Sequence, residues 1–169
     1  MTRFAPWLVL GISHKMHVIF WTDPVTGNLC VTSPVYASRP DGMTEEAFCE
    51  SERLRVVPDG VSYRVGDHTE CPADRTFRDA WTDEGTAIIV DMTRARAIHL
   101  ADIRKARNLE LAREDILMLR AIEAGDSSAQ SEVAARKQLL RDIPATFDLA
   151  TDVPDELKTK WPAELPARE

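Results

Sequence analysis

The sequence predicts an α+β protein with a small strand-rich head, a long antiparallel helical hairpin and a proline-rich tail. Short β-branched or alternating runs, separated by turn residues, occupy residues 16–91. Between Met92 and Ala124 there is no glycine or proline, and apolar residues recur at helical spacing. Prolines return from Pro144 onward. The predicted segments are an N-terminal arm or non-native extension (1–15), the head (16–91), the hairpin (92–143) and the tail (144–169).

The head begins with a predicted β-hairpin, which is followed by one short helix. His17–Thr22 is rich in β-branched and aromatic residues, Asp23–Asn28 has turn chemistry, and Leu29–Pro34 has the composition of a second strand. Thr44 precedes two glutamates, the pattern of a helix N-cap with acids in the first turn. We expect this helix to end near Arg53–Arg55.

The remainder of the head carries signals for further strands. Val61–Val65 alternates apolar and polar residues, which is typical of a half-buried strand. Phe77–Trp81 and Thr86–Val90 flank a turn at Gly85, and together they predict a second hairpin. Phe77–Trp81 equally fits a helical turn. The head is therefore predicted to contain two hairpins, one isolated strand and one short helix.

The helical hairpin is predicted from capping signals and periodicity. The first helix should run without interruption from about Met92 to Ala124, with Asp91 as N-cap and Gly125 as the residue after the C-cap. The second should run from Ser128 to about Asp142. The connection is so short that only antiparallel packing of the two helices is possible.

The ends and faces of these helices are also predicted. Ser127 and Gln130 have the spacing of a capping box at the start of the second helix, and Pro144 should end that helix. The second helix covers only part of the first, so the start of the first must bury its apolar face on the head or on a partner. The apolar stripe of the first helix comprises Met92, Ala95, His99, Ile103 and Ala106, and continues with Leu109, Ala112, Ile116, Leu119 and Ile122. The second helix should present one mixed face of Ala129, Val133, Arg136, Leu140 and Ile143.

Composition restricts the class of function. The 169 residues carry a formal net charge of −7 with a pI near 5.2, which disfavours binding of duplex nucleic acid. Three dispersed cysteines do not form a disulfide framework. The apolar run Phe4–Ile12 after Arg3 is too short to cross a bilayer, so we expect a soluble protein without membrane contact.

The sequence contains no recognisable catalytic or cofactor-binding motif. Its seven glycines form no phosphate loop, and no nucleophile elbow occurs. Asp67, His68 and Cys71 lack the second ligand pair of a zinc site and are expected in a solvated loop. His99 lies on the apolar stripe and is expected to be a packed core residue. Acid pairs such as Glu114 and Asp115 are expected on solvated faces. We therefore predict a non-enzymatic protein without metal or cofactor.

A basic segment opens the first long helix. Residues 92–109 contain five basic side chains and one acidic one, in a chain that is acidic as a whole. Three interpretations are open: the segment faces its own acidic head or solvent, it binds a protein partner, or it contacts nucleic acid. The basic residues are Arg94, Arg96, Arg104, Lys105 and Arg107.

From Ala73 onward the sequence resembles tail-assembly chaperones, also described as tail-fibre assembly accessory proteins, of tailed phages and prophages. The resemblance covers about 95 residues, with a weaker likeness over Met16–Val65. It includes the helix end Lys137–Pro144, in which leucine, arginine, aspartate, isoleucine and proline follow one another, and the closing Trp161–Pro162. The other matching segments are Asp74–Trp81, Val90–Met92, Ala95–His99, Ile103–Arg107, Glu123–Asp126 and Pro154–Lys158.

The resemblance implies an accessory protein that binds a phage tail or tail-fibre component in the host bacterial cytoplasm during assembly. The alternative is a structural tail or baseplate subunit that stays in the virion. No catalytic residue and no nucleic-acid partner are implied, and self-association stays open. A helix with a partly covered apolar face and an arginine-rich edge suits the binding of such a partner. The candidate partner-binding residues are Arg94, Ile98, Ile103, Arg104, Arg107 and Trp161.

Overall fold

A computed structural model describes residues 16–168 and shows an α+β fold, as predicted. The predicted N-terminal arm, residues 1–15, lies outside the described residues. The strands are β1 (His17–Thr22), β2 (Leu29–Thr32), β3 (Tyr63–Asp67), β4 (Trp81–Asp83) and β5 (Ile88–Val90). The helices are α1 (Glu45–Val56), α2 (Met92–Glu123), α3 (Ser127–Thr146) and α4 (Pro154–Thr159), with short 3₁₀ turns at Tyr36–Ser38, His68–Glu70 and Arg78–Ala80.

The chain forms two compact units. It passes from one unit to the other within β4 and passes back within β5. The N-terminal unit comprises the described residues up to Ala73 together with Asp83–Ile88. The C-terminal unit comprises Asp74–Thr82 and the chain from Ile89 onward. Part of the segment predicted as head therefore belongs to the same unit as the helical hairpin and the tail.

The N-terminal unit is built on a three-stranded antiparallel sheet of order β2-β1-β3. The predicted first hairpin is present, since β1 pairs with β2 and places Phe20 opposite Val31. Phe20 also lies opposite Arg64 of β3. Helix α1 begins where predicted, because the Thr44 side chain accepts a hydrogen bond of 3.2 Å from the Ala47 N–H. The central strand β1 and α1 supply most of the buried apolar residues of this unit.

A cluster of side chains around a single arginine, Arg64, lies on the β3 side of this sheet. The Arg64 guanidinium sits 4.4 Å from the centre of the Phe20 ring and donates from Nε and Nη2 to both Asp83 oxygens at 2.8–3.0 Å. It also forms an ion pair with Glu70 at 2.6 Å. Partial burial raises the pKa of Asp83, but hydrogen bonds from Arg64 and from the Gly85 N–H outweigh burial, and the net shift is downward.

Replacing Arg64 tests how much this cluster contributes to the free energy of unfolding. Arg64→Met keeps the aliphatic stem but leaves two carboxylates, which are about one-fifth exposed, without their cation. We expect a loss of about 2 kcal/mol in the free energy of unfolding at neutral pH, below the range for fully buried pairs. Because the folded pKa of Asp83 is depressed, the contribution of its pairing is present above pH ~4 and is lost as the pH falls further. Urea denaturation of both proteins should therefore converge in acid, and an equal gap at all pH values would contradict this account.

Helix α2 dominates the C-terminal unit and confirms the predicted long helix. It runs uninterrupted for 32 residues, about 48 Å. The Asp91 carboxylate accepts hydrogen bonds from the Thr93 and Arg94 N–H groups, which fixes its start. Gly125 follows the C-cap with a φ of +67°, the left-handed conformation that favours glycine. The turn then leads into the antiparallel partner helix α3, so the predicted hairpin is present.

Two details of α3 differ from the prediction. Asp126, rather than Ser127, is the N-cap, and its side chain accepts a hydrogen bond from the Ala129 N–H. The helix also continues through Pro144 to Thr146. A proline removes only the one bond that its own nitrogen would donate, and in the last turn few further bonds depend on it. The Phe147 N–H then bonds to the Ile143 carbonyl and closes the helix.

The interface between α2 and α3 is apolar at one end and includes ion pairs towards the turn. Near the C-terminus of α3, Ile103 packs against Leu140 and Ile143 in a buried cluster. Towards the turn the helices are joined by ion pairs, including a bond of 2.6 Å from Arg136 to the buried carboxylate of Glu114. The prediction that Glu114 is solvated is therefore wrong, because the facing arginine of α3 pairs with it.

The predicted continuous apolar stripe of α2 is also wrong in its second half. Ala95, His99 and Ile103 are buried, as predicted. Beyond them the buried positions are Glu110, Glu114 and Ala121, while the predicted stripe residues face outward. The reason is that the line of apolar residues drifts around the axis of α2. In the second half of the helix it faces away from α3, and the Glu114–Arg136 pair lies in the interface instead. The outward residues are Leu109, Ala112, Ile116, Leu119 and Ile122.

The first half of α2 is covered by the chain's own tail, which was not predicted, and by Phe77 and Ala80 of the predicted head, which agrees with the prediction. Leu157 of α4 packs with Phe77, Ala80 and Ala95 in a buried cluster. Farther along α2, Leu165 joins the cluster around Ile103. The proline-rich tail is therefore part of the core of this unit. Within residues 16–168, no helix is long and apolar enough to cross a membrane.

Candidate partner-binding groove

The tail is fixed to α2 by a buried histidine. His99 is fully buried, and its Nε2 lies 2.5 Å from the Lys160 carbonyl oxygen. Its ring meets those of Phe77 and Trp161 edge-on, with centroids 6.0 and 5.9 Å away. Because a carbonyl only accepts, the Nε2 nitrogen carries the hydrogen and Nδ1 is left as an acceptor. The histidine is thus a packed core residue that also anchors the tail.

The end of the tail supplies the partner of the second histidine nitrogen. Arg168 Nη1 lies 3.3 Å from His99 Nδ1, and Nη2 donates to Asp102 at 2.6 Å. The same guanidinium lies 5.3 Å from the centre of the Trp161 ring. Trp161 Nε1 donates to the Pro166 carbonyl at 2.8 Å, which closes the last residues into a loop. The described part of the tail, up to Arg168, therefore has a defined position beside α2.

The tail is also held by an ion pair and by hydrogen bonds that do not involve His99. Lys158 of α4 bonds to the Asp74 carboxylate. This lysine, with the Thr76 hydroxyl and N–H, holds the pKa of Asp74 below its usual range. Lys160 donates to the carbonyl of Ala150 at 3.1 Å. These contacts join α4 to the segment at Asp74, and the residue after α4 to the loop that precedes it.

A groove of about 450 Å³ lies between α2 and the end of the tail. One wall is a stretch of α2, and the other is the loop that begins at Trp161. The Trp161 ring is half-buried at this wall. The lining combines aromatic, aliphatic and charged side chains from Asp102, Lys105, Ala106, Leu109, Glu110, Arg113, Trp161, Pro166, Ala167 and Arg168.

Some of the charged side chains in the groove have an ion-pair partner, and one does not. Arg168 is paired with Asp102, and Arg113 is paired with the buried Glu110. Lys105 is exposed and forms no ion pair with any residue in the described part of the chain. Three cations and two carboxylates leave the groove with one excess positive charge. An acidic group could bind there without displacing an existing pair.

The structure separates the six predicted partner-binding residues. Ile103 is fully buried and Ile98 packs partly against the cluster around Phe77, so neither offers a free surface. Trp161 lies in the groove. Arg104 is exposed, and Arg107 donates to the neighbouring Asn108 at 3.2 Å.

The predicted arginines lie away from the tryptophan. Successive helix residues turn by about 100°, so Arg104 and Arg107 point away from the groove that Lys105 lines. Arg94 lies at the start of α2, half-buried. The structure therefore does not bring the predicted set together. Sequence reasoning missed the groove residues Lys105, Leu109, Arg113 and Arg168.

The sequence did contain one signal for this groove. Lys105, Leu109 and Arg113 recur at intervals of four, which places them on one side of a helix. Nothing local to Arg168 shows that it returns to α2, because its partners Asp102 and His99 are more than sixty residues away. The tail wall could therefore not be predicted.

The sequence motif considered for metal binding has a structural use. The Asp67 carboxylate accepts hydrogen bonds from the Thr69 N–H and hydroxyl and caps the following 3₁₀ turn. Among residues 16–168, no group of three or more histidine, cysteine or acidic side chains is arranged to hold a metal ion. Of the three cysteines, Cys49 is buried, and Cys30 and Cys71 are half-buried.

Comparisons of this chain with protein-family profiles, with curated proteins and with solved structures find no match.

Proposed function

We propose that this protein is a tail-assembly accessory protein of a tailed phage or prophage, and that it binds a tail or tail-fibre component at the groove between α2 and the tail. Two things support the proposal. The resemblance in sequence runs through the segments that build the groove, including Ile103–Arg107 and Trp161–Pro162. The groove itself has the composition of a protein-binding site, with an aromatic side chain beside cations.

The single observation that carries the proposal is the placement of Trp161. Its ring is half-buried and held by a hydrogen bond to Pro166 and by the guanidinium of Arg168. A fixed aromatic side chain binds with little loss of side-chain freedom. The neighbouring Lys105 has no ion-pair partner among the residues described. The ligand that suits this pair is a protein segment that presents an apolar side chain next to a carboxylate.

A charge reversal at Lys105 tests the proposal. Lys105→Glu gives the groove an excess of negative charge, so we expect at least about tenfold weaker binding of the tail or tail-fibre component. The effect should be largest at low salt, where screening is weakest. Binding is measured by co-purification and then by titration calorimetry. Stability should change by less than about 0.5 kcal/mol, because Lys105 is exposed.

Arg104→Glu provides a matched control. Arg104 is adjacent in sequence, is also exposed and changes charge by the same amount, but it does not line the groove. We expect this variant to bind like the wild type. If Arg104→Glu weakens binding and Lys105→Glu does not, the arginine edge is the binding surface and the groove is not. If the protein is retained in purified particles, it is a virion subunit instead, and if no tail component binds the wild type, the accessory role is wrong.

A further inference from the structure

The turn-proximal half of α2 exposes a continuous apolar face. Leu109, Ile116 and Leu119 are 61%, 52% and 60% exposed, and the small Ala112 lies among them. We call these four residues the outer stripe. Exposed single leucines are common on protein surfaces, but an unbroken row along one helix is not. The row therefore marks an interaction surface.

The outer stripe lies opposite the contact between α2 and α3. At 100° per residue, Glu114 and Ala121, which face α3, point about half a turn away from the centre of the stripe. On the α3 side, Glu114 pairs with Arg136, and the Gln130 side chain donates to the Ala121 carbonyl at 3.2 Å. This half of the hairpin thus has polar contacts inside and apolar side chains outside. An isolated two-helix hairpin has the opposite distribution, with apolar side chains between the helices and polar side chains on the outside.

The spacing of the outer stripe is that of a coiled-coil seam. Its members are separated by three, four and three residues, so they occupy alternating a and d positions of a heptad. A seam of this kind packs against another helix that carries the same repeat. Leu109 to Leu119 spans about 15 Å, so the contact is short and its affinity must depend on concentration.

We propose that the outer stripe binds a second copy of this chain, with the two α2 helices parallel. The charges that flank the seam select this partner. In a parallel pair, a residue at position g meets the residue five positions later, at e, on the other helix. Asp115 is at g and Arg120 is at e, five residues apart, and both are exposed; Asp115 also pairs with Lys137 of α3, and its exposed carboxylate can accept from Arg120 as well. Two symmetric Asp115–Arg120 ion pairs would therefore flank the stripe.

The same charges disfavour an antiparallel pair. In that arrangement e residues face e residues and g residues face g residues. With Leu109 opposite Leu119, Asp115 would meet Asp115 of the other copy, and Arg113 would meet Arg113. Like charges placed directly across a seam destabilise it. The sequence of α2 therefore matches itself in the parallel register. This contact leaves the groove wall formed by the tail uncovered, but it shares Leu109 with the α2 wall of the groove, so Ile116, which does not line the groove, is the residue to test.

Sedimentation velocity over a concentration series tests the proposal. The wild type should shift from monomer to dimer as concentration rises, and Ile116→Glu should remain monomeric throughout. Leu139→Glu is the matched control: Leu139 is 62% exposed on α3, outside the stripe, and the substitution adds the same charge. This control should dimerise like the wild type. Helical content measured by circular dichroism should be the same in all three proteins.

Cysteine cross-linking tests the orientation and does not depend on a disruptive variant. In a parallel pair, Leu119→Cys faces itself, so the single variant should form a disulfide dimer under mild oxidation, and Leu109→Cys should do the same. In an antiparallel pair, only a mixture of the two variants would cross-link. The wild type, with its three native cysteines, supplies the background. A wild type that stays monomeric at all concentrations overturns the proposal, and cross-linking only in the mixture overturns the parallel orientation.

Discussion

Replacing Leu157 with alanine is expected to lower the free energy of unfolding of the C-terminal unit by about 3 kcal/mol. Leu157 is fully buried among Phe77, Ala80 and Ala95. The alanine leaves a cavity that these neighbours, held by a helix and by a 3₁₀ turn, cannot fill. Helix α4 has only six residues and would not be stable by itself, so it depends on this contact. The substitution should therefore also loosen the tail from α2.

Urea denaturation followed by tryptophan fluorescence measures this effect, since Trp161 lies two residues after the end of α4 and packs against His99 of α2. Leu139→Ala is the control, because the same side chain is shortened at a position that is 62% exposed. We expect that variant to change stability by less than about 0.5 kcal/mol. Equal effects at the two positions would mean that the tail does not pack on α2 as described.

His99→Leu should destabilise the same unit by about 2–3 kcal/mol, although the two side chains are similar in volume. The leucine can fill the space but cannot donate to the Lys160 carbonyl, which then lacks its buried partner. It also removes the acceptor for Arg168. The end of the tail is therefore expected to separate from α2, and the groove should lose its second wall.

Two measurements distinguish this effect from simple loss of packing. The denaturation midpoint should fall, and binding of the tail component should weaken even at temperatures where the variant is folded. His68→Leu is the control, since His68 is exposed in the N-terminal unit. It should leave both quantities unchanged. A stable His99→Leu variant that binds normally would show that the histidine is only a space-filling residue.

The sequence determined the elements of this protein whose signals are local. Asp91 and Gly125 marked the ends of α2 within about one residue, because capping depends on side chains and dihedral angles at the helix ends themselves. The same holds for the hairpin of β1 and β2 and for the start of α1 at Thr44. The fold class followed from these elements and from the order in which they occur.

Only the tertiary structure decided which surfaces are covered. Periodicity identified the apolar positions of α2 but could not say that Ile103 faces α3 while Ile116 faces outward. That distinction depends on Glu114 meeting Arg136, and on Leu157 and Leu165 returning to α2 from the tail. Such contacts join residues from 22 to 80 positions apart, and no local pattern encodes them. The groove and the outer stripe both depend on which face of α2 these contacts bury, since burial of one face of a helix leaves the other exposed.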